Sequence, residues 1–215
     1  MDWKKRGGLT GMVFGQPLSS NVKQQMEHQD SEIEMVMDYI LAANASQDIE
    51  EYRAGKSLRM RIYEESRKYV GKPSSEWPEI FFNWDLSKEG QCHSLDGTSK
   101  KDFAEHYPEG FLLGYVVLEE FDKKLCQYSR RDEGELWKVG SEDKLARLIV
   151  YLSENRKISP PLVKRLETGE VIFNGGHHRY AIAKEIGEDR IPIHIQPVYK
   201  AEIDAILNVE WGENA

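Results

Sequence analysis

Cysteine is nearly absent from this chain: Cys92 and Cys126 are the only two among 215 residues. Two thiols cannot build the disulfide framework of a small secreted domain, so both read as reduced, in a cytoplasmic setting. Long apolar runs are missing as well; none approaches the ~20 residues of a membrane span. The opening "MDWKKRGGLTGMVFG" is basic at its start but lacks the apolar stretch of a signal peptide. An excess of positive charge is also lacking. Residues 1–108 hold 14 Lys+Arg against 18 Asp+Glu, residues 109–200 hold 15 against 15, and the last fifteen add four acids and no base. The net charge of −8 excludes a generic nucleic-acid coat, which needs many phosphate-facing cations. Arg130 and Arg131 remain as a local basic pair. No His-x-x-x-His spacing supports zinc. "AGKS" (54–57) mimics the end of a Walker motif, but its required first glycine is Glu50.

What is present suits a globular protein, since 40% apolar residues can bury a sizeable core. Residues 1–30 are Gly- and Gln-rich and read as an arm. From Ser31, a suitable N-cap, "SEIEMVMDYILAAN" sets Ile33, Val36, Met37, Ile40 and Leu41 on one helical stripe. "KSLRMRIYEESRKYV" reads as a second helix, stopped by Gly71 and Pro73. Residues 75–108 mix aromatics with turn residues and give only a short strand or loop at 79–84. The C-terminal half is sharper. "FLLGYVVLEEF" (111–121) reads as a buried strand, and "SEDKLARLIVYLSEN" as a helix capped by Ser141, with Leu145, Leu148, Ile149 and Leu152 on its apolar face. "PPLVKRL" (160–166) and "VIF" (171–173) read as strands around the turn "ETGE". A helix from Arg179 to Ile186 and a strand "RIPIHI" (190–195) follow.

Between the last strand of that hairpin and the helix stands "NGGHHRY". Gly175 and Gly176 allow positive φ and close approach to a ligand. The helix start behind them offers free N–H groups and a favourable dipole for an anion. Arg179 supplies a planar fork suited to phosphate oxygens. His178 is able to donate to a phosphate, or to act as acid or base near neutral pH. His177 neighbours it, and one of the two adjacent rings must point away from a shared ligand. Ser141, opening the preceding helix, is a second anion-site candidate.

The ordered set "GYVVLEEF", "SEDKLARLIVYLSEN", "ISPPLVKRLETGEVIFNGGHHRYAIAKEIG" and "RIPIHI" resembles the ParB/sulfiredoxin superfamily over residues 109 to 200. The resemblance implies an α/β (α+β) fold: a compact mixed-sheet domain at 109–200, a mostly helical extension at 1–108, and a tail at 201–215. It implies that the turn from Gly175 to Arg179 holds nucleotide phosphates. Sulfiredoxins carry a nucleophilic cysteine where this chain has His177, so that activity is not expected. Chromosome-segregation ParB proteins continue into a helix-turn-helix module that this sequence lacks. Two branches stay open, the free-serine kinases and the ParB-like nucleases, because both share the turn. In the kinase-like branch an acid near the end of the first strand activates a hydroxyl or helps hold magnesium; Glu119, Glu120 and Asp122 form such a cluster, which makes Glu119 and Glu120 catalytic candidates with His178. The expectation is a cytoplasmic phosphoryl-transfer or NTP-hydrolysing enzyme using ATP or another nucleotide with Mg2+, acting on an unidentified small-molecule or nucleic-acid acceptor. A DNA-binding or nuclease module is the alternative, and a non-catalytic regulator binding a protein partner through residues 1–108 is a third.

Overall fold

The structure, a computed structural model, describes residues 33–43, 47–95 and 98–212, with the backbone alone at Met12–Val13 and Gln16–Pro17. The expected arm at 1–30 and the cap at Ser31 therefore fall largely or wholly outside the described residues. The chain divides into two compact units, Met1–Leu58 and Arg59–Ala215.

In the first unit, β1 (Met12–Val13) and β2 (Gln16–Pro17) pair antiparallel. Helix α1 covers 33–43, and α2 (Ile49–Ser66) runs across the boundary between the units. Asp48 starts α2 by accepting from the amides of Glu50 and Glu51. On α1 the inward residues are Asp38 and Ala42, whereas the apolar stripe read from the sequence is exposed.

The second unit is mixed α/β, as expected. Its main sheet combines β4 (Leu112–Val117), β6 (Leu162–Arg165), β7 (Val171–Gly175), β8 (Arg190–Ile195) and β9 (Glu210–Trp211) in the order β7-β6-β8-β4-β9. Only β6 and β8 run parallel; the other neighbours are antiparallel. A small parallel pair joins β3 (Asn83–Trp84) to β5 (Lys157–Ile158). Around these lie α3 (Lys100–His106), α4 (Leu118–Lys124), α5 (Glu142–Ser153), α6 (His177–Glu185) and α7 (Lys200–Asp204). Phe121, Phe173, Tyr180, Ile191 and Ile193 anchor the main core.

Helix α2 starts at Ile49 and not at Lys56, and four boundaries further along the chain also differ from the sequence reading. The strand expected over 111–121 ends at Val117, and "LEEFDKK" turns helical, with Glu119 and Glu120 in its first turn and Lys123 and Lys124 in its last. That charge order suits the helix dipole, and Leu118 and Phe121, three apart, share its buried side. Helix α6 begins at His177, so both histidines are helical. The expected tail supplies α7 and β9, which pairs with β4. Residues expected in the extension reach the core: Trp77 and Ile80 pack with Leu145 and Ile182, while Cys92 and Phe103 pack with Leu162.

Candidate functional site

One register joins the turn to the middle of the sheet. Leu162 stands opposite Gly175 on one side and opposite His194 on the other. Gly175 leaves no room for a side chain, since a Cβ there would collide with the carbonyl oxygen of Ser94. Gly176 adopts φ 102°, and a Cβ on it would sit 2.6 Å from Cβ of Pro161. Both glycines are thus required by close packing of protein on protein. Gly176 then caps α6 without a side chain, and the first turn of α6 contains no acid.

The two histidines diverge. His177 turns towards the sheet, with Nε2 3.2 Å from Ser129 Oγ and its ring edge-on to Phe173. His178 turns towards the loop before α5, where its buried Nε2 faces Gly140. Arg179 points to the residues before β6. Its guanidinium donates to the carbonyls of Ser159 (2.8 Å), Pro160 (3.0 Å) and His93 (3.0 Å). It fastens the residues before β6 and the turn Gln91–Ser94 to α6. Three charge-assisted bonds of this kind make Arg179 a strong internal tie.

The cation beside His178 is Arg131. A Cβ on Gly140, whose φ is 92°, would lie 3.2 Å from His178 Nε2 and 3.5 Å from Arg131 Nη2. Arg131 is only 5% exposed. Its Nη1 donates to the carbonyls of Ser129 and Arg130, its Nε has no hydrogen-bond partner, and no carboxylate among the described residues pairs with it. Burial lowers its pKa from the usual arginine value, yet a guanidinium stays protonated near neutrality. Ser141, next to Gly140, caps α5 by accepting from Lys144 N at 3.3 Å. Glu142 and Asp143 in that first turn make α5 a poorer anion end than α6.

Asp122 holds this corner together. Its carboxylate accepts from the Tyr180 hydroxyl and, at 2.9 and 2.8 Å, from Lys184 Nζ. Lys184 also donates to the Arg131 carbonyl at 2.6 Å. Burial, then Asp122, raises the Tyr180 pKa, so its hydroxyl remains a donor. Glu119 and Glu120 are elsewhere. They follow Val117, which pairs with Arg190 at the far end of β8 from His194. Glu119 is taken by Lys123 at 2.6 Å, a bond that lowers its pKa. Glu120 lines a groove of about 300 Å³ with Phe121, Ile206, Leu207 and Asn208.

Behind the turn, His194 is buried against Ser94, whose Oγ donates to the Pro160 carbonyl at 2.9 Å and lies 2.8 Å from His194 Nδ1. With the hydroxyl proton committed to Pro160, Nδ1–H is the donor to Ser94. Burial and the nearby charge of Arg179 push the His194 pKa down to about 4. Among the described residues, no three His, Cys, Asp or Glu side chains converge as a metal site, and no helix is long and apolar enough to cross a membrane. Both cysteines are buried free thiols.

The structure therefore joins Gly175, Gly176, His177, His178 and Arg179 at one turn, sets Ser141 beside His178 through Gly140, and leaves Glu119 and Glu120 apart. Of the acids that the sequence groups at 119–122, Asp122 is the one that meets α6, through Tyr180 and Lys184, and Arg131 stood out in the sequence only as half of a basic pair. A helical reading of 118–124 sets Asp122 one turn from Leu118 at the edge of the side that Leu118 and Phe121 bury, but a lone arginine in a loop carries no such signal. Set against family models, curated proteins and solved structures, the chain matches none.

Proposed function

We propose that the chain binds a nucleotide through its phosphates at the start of α6, between His178 and Arg131, and transfers or hydrolyses a phosphoryl group there. The observation that carries this reading is Arg131: a buried guanidinium with no carboxylate partner, beside an uncapped helix N-terminus free of acids. An unpaired buried charge is costly, and a bound phosphate would supply the missing counter-charge along with acceptors for Nε and Nη2. In this reading Arg131 and the α6 amides stabilise charge on the phosphoryl oxygens. His178 moves the proton of the attacking hydroxyl or water, a role that Glu119 and Glu120 are too far removed to fill. Magnesium would arrive on the nucleotide phosphates, where it offsets their charge. Arg179 acts at one remove, holding Pro160 and the 91–94 turn against α6.

The test is calorimetric titration of the full chain with ATP–magnesium and with a 30-base-pair duplex across a salt series. Nucleotide binding that varies little with salt, and that Arg131→Ala weakens tenfold or more, is the expected result. Tight duplex binding with a log–log salt slope of several units, and none for nucleotide, would replace the enzyme reading with a DNA-binding module.

A further inference from the structure

Helix α1 carries its apolar residues on the wrong side for a buried helix. Ile33, Met35, Val36, Met37, Tyr39, Ile40 and Leu41 are 42–56% exposed, while Asp38 and Ala42 are buried. The inward side is fixed by charge. Lys56 Nζ, on α2, lies 2.8 Å from both Glu34 and Asp38, and Arg53 Nε lies 3.6 Å from Asp38. Arg53 also stands over the Tyr39 ring, 5.5 Å from its centroid. Each residue turns the helix by about 100°, which sets Ile33, Val36 and Ile40 within about 40° of the direction opposite Asp38. Ion pairs thus hold the polar side of α1 against α2, and a continuous apolar ladder faces outwards.

We propose that this ladder is a two-fold interface whose cover is the same ladder of a second copy of the chain. The spacing is self-complementary. In an antiparallel pair centred between residues 36 and 37, Ile33 meets Ile40 of the second copy and Val36 meets Met37. That reciprocity is what an isologous contact requires, and three-and-four spacing is the seam of paired helices. The area is adequate too. Ile33, Val36 and Ile40, with Met37 and Tyr39 on their flanks, are roughly half exposed and offer on the order of 500 Å² per chain; about 1,000 Å² in a pair reaches the threshold of a specific interface. Charge does not oppose it, because Glu34 and Asp38 are already matched by Lys56 and Arg53 within each copy. A lipid surface is a worse fit: amphipathic helices that bind it line their polar face with Lys and Arg, and 33–43 contains neither.

Sedimentation of the full chain over a hundredfold concentration range tests this. The expected species has twice the 24.9 kDa of one chain. Ile40→Glu should raise its dissociation constant at least tenfold without changing the helical circular dichroism. Val36→Cys should cross-link two chains on mild oxidation, since it faces its own copy across the two-fold and the native thiols are buried. A single-chain mass at every concentration overturns the proposal, whether or not the chain then binds vesicles. So does a dimer indifferent to Ile40→Glu, and a dimer that Val36→Cys fails to link overturns the antiparallel register.

Discussion

Helices α5 and α1 carry equally clear apolar stripes, and the protein treats them in opposite ways. Leu145, Ile149 and Leu152 of α5 are at most 1% exposed, packed with Ile182 and flanked by Tyr69, Trp77 and Ile80. Ile33, Val36 and Ile40 of α1 remain about half exposed. The difference lies in what each helix has to pack on. Residues 69–82 and α6 supply apolar surface to α5, whereas α2 meets α1 with Lys56 and Arg53. Periodicity tells which side chains share a face. It does not tell whether another face is there to cover them.

The strongest way to break the comparison is to remove the cover of α5. A chain of residues 105–215 lacks Tyr69, Trp77 and Ile80 above α5, and Cys92 and Phe103 beside Leu162. It should lose cooperative unfolding in urea and near-ultraviolet circular dichroism. The unit Arg59–Ala215 should retain both. A cooperative transition in the shorter chain would mean that the sheet and α5 need no help from residues 59–104.

Single truncations sharpen the same contrast. Leu152→Ala, in a fully buried site, should cost roughly 2–5 kcal/mol. Ile40→Ala, measured at low protein concentration where copies are apart, should cost less than about 0.5 kcal/mol. Urea midpoints of the two variants decide it, and similar losses would show that α1 is covered within its own chain.

The contrast also marks how far sequence reasoning reached. The strand order of events from β4 to β8, the cap at Ser141 and the glycine turn were legible, because each is set by local chemistry: alternation, a hydroxyl before a helix, a residue without Cβ. The helical turn at 118–124 was hidden by "GYVVLEEF", whose β-branched start outweighs the charge order that follows. At the site, Gly175 to Arg179 could be named from their order alone. The partners of those side chains could not, because Arg179 bonds to carbonyls of residues 93, 159 and 160, and Arg131 and His178, far apart in sequence, both approach Gly140.

Acid should divide the two regions next. His194 is buried with a pKa near 4, against about 6.5 for an unfolded histidine. As pH falls, the unfolded chain takes up this proton first, so folding is fully supported above about pH 6.5 and weakened progressively down to pH 4. At about 1.4 kcal/mol per pH unit, the loss over that window approaches about 3 kcal/mol. Helix α1 contains no histidine. Urea midpoints of the parent and of His194→Gln between pH 7 and 4 isolate the effect, since other titrating groups are common to both. A parent curve as flat as the variant's would show that His194 is not held neutral by its surroundings.

The smallest effects separate two arginines that the sequence leaves indistinguishable in kind. Arg179 has its donors on three carbonyl oxygens, two of them on the buried residues Ser159 and Pro160, so Arg179→Ala should cost roughly 2–3 kcal/mol of stability. Arg131 is buried without a carboxylate, and removing an unpaired charge relieves a desolvation cost even as two hydrogen bonds are lost. Arg131→Ala should therefore shift stability by less than about 1 kcal/mol, while weakening ATP–magnesium binding tenfold or more. Urea unfolding and calorimetric titration on the same two variants give four numbers. The expected pattern is crossed: one variant unstable yet able to bind when folded at low temperature, the other stable yet poor at binding. If Arg179→Ala instead keeps its stability and loses the nucleotide, then its three carbonyl bonds are exchanged for phosphate on binding, and Arg179 rather than Arg131 is the residue that touches the ligand.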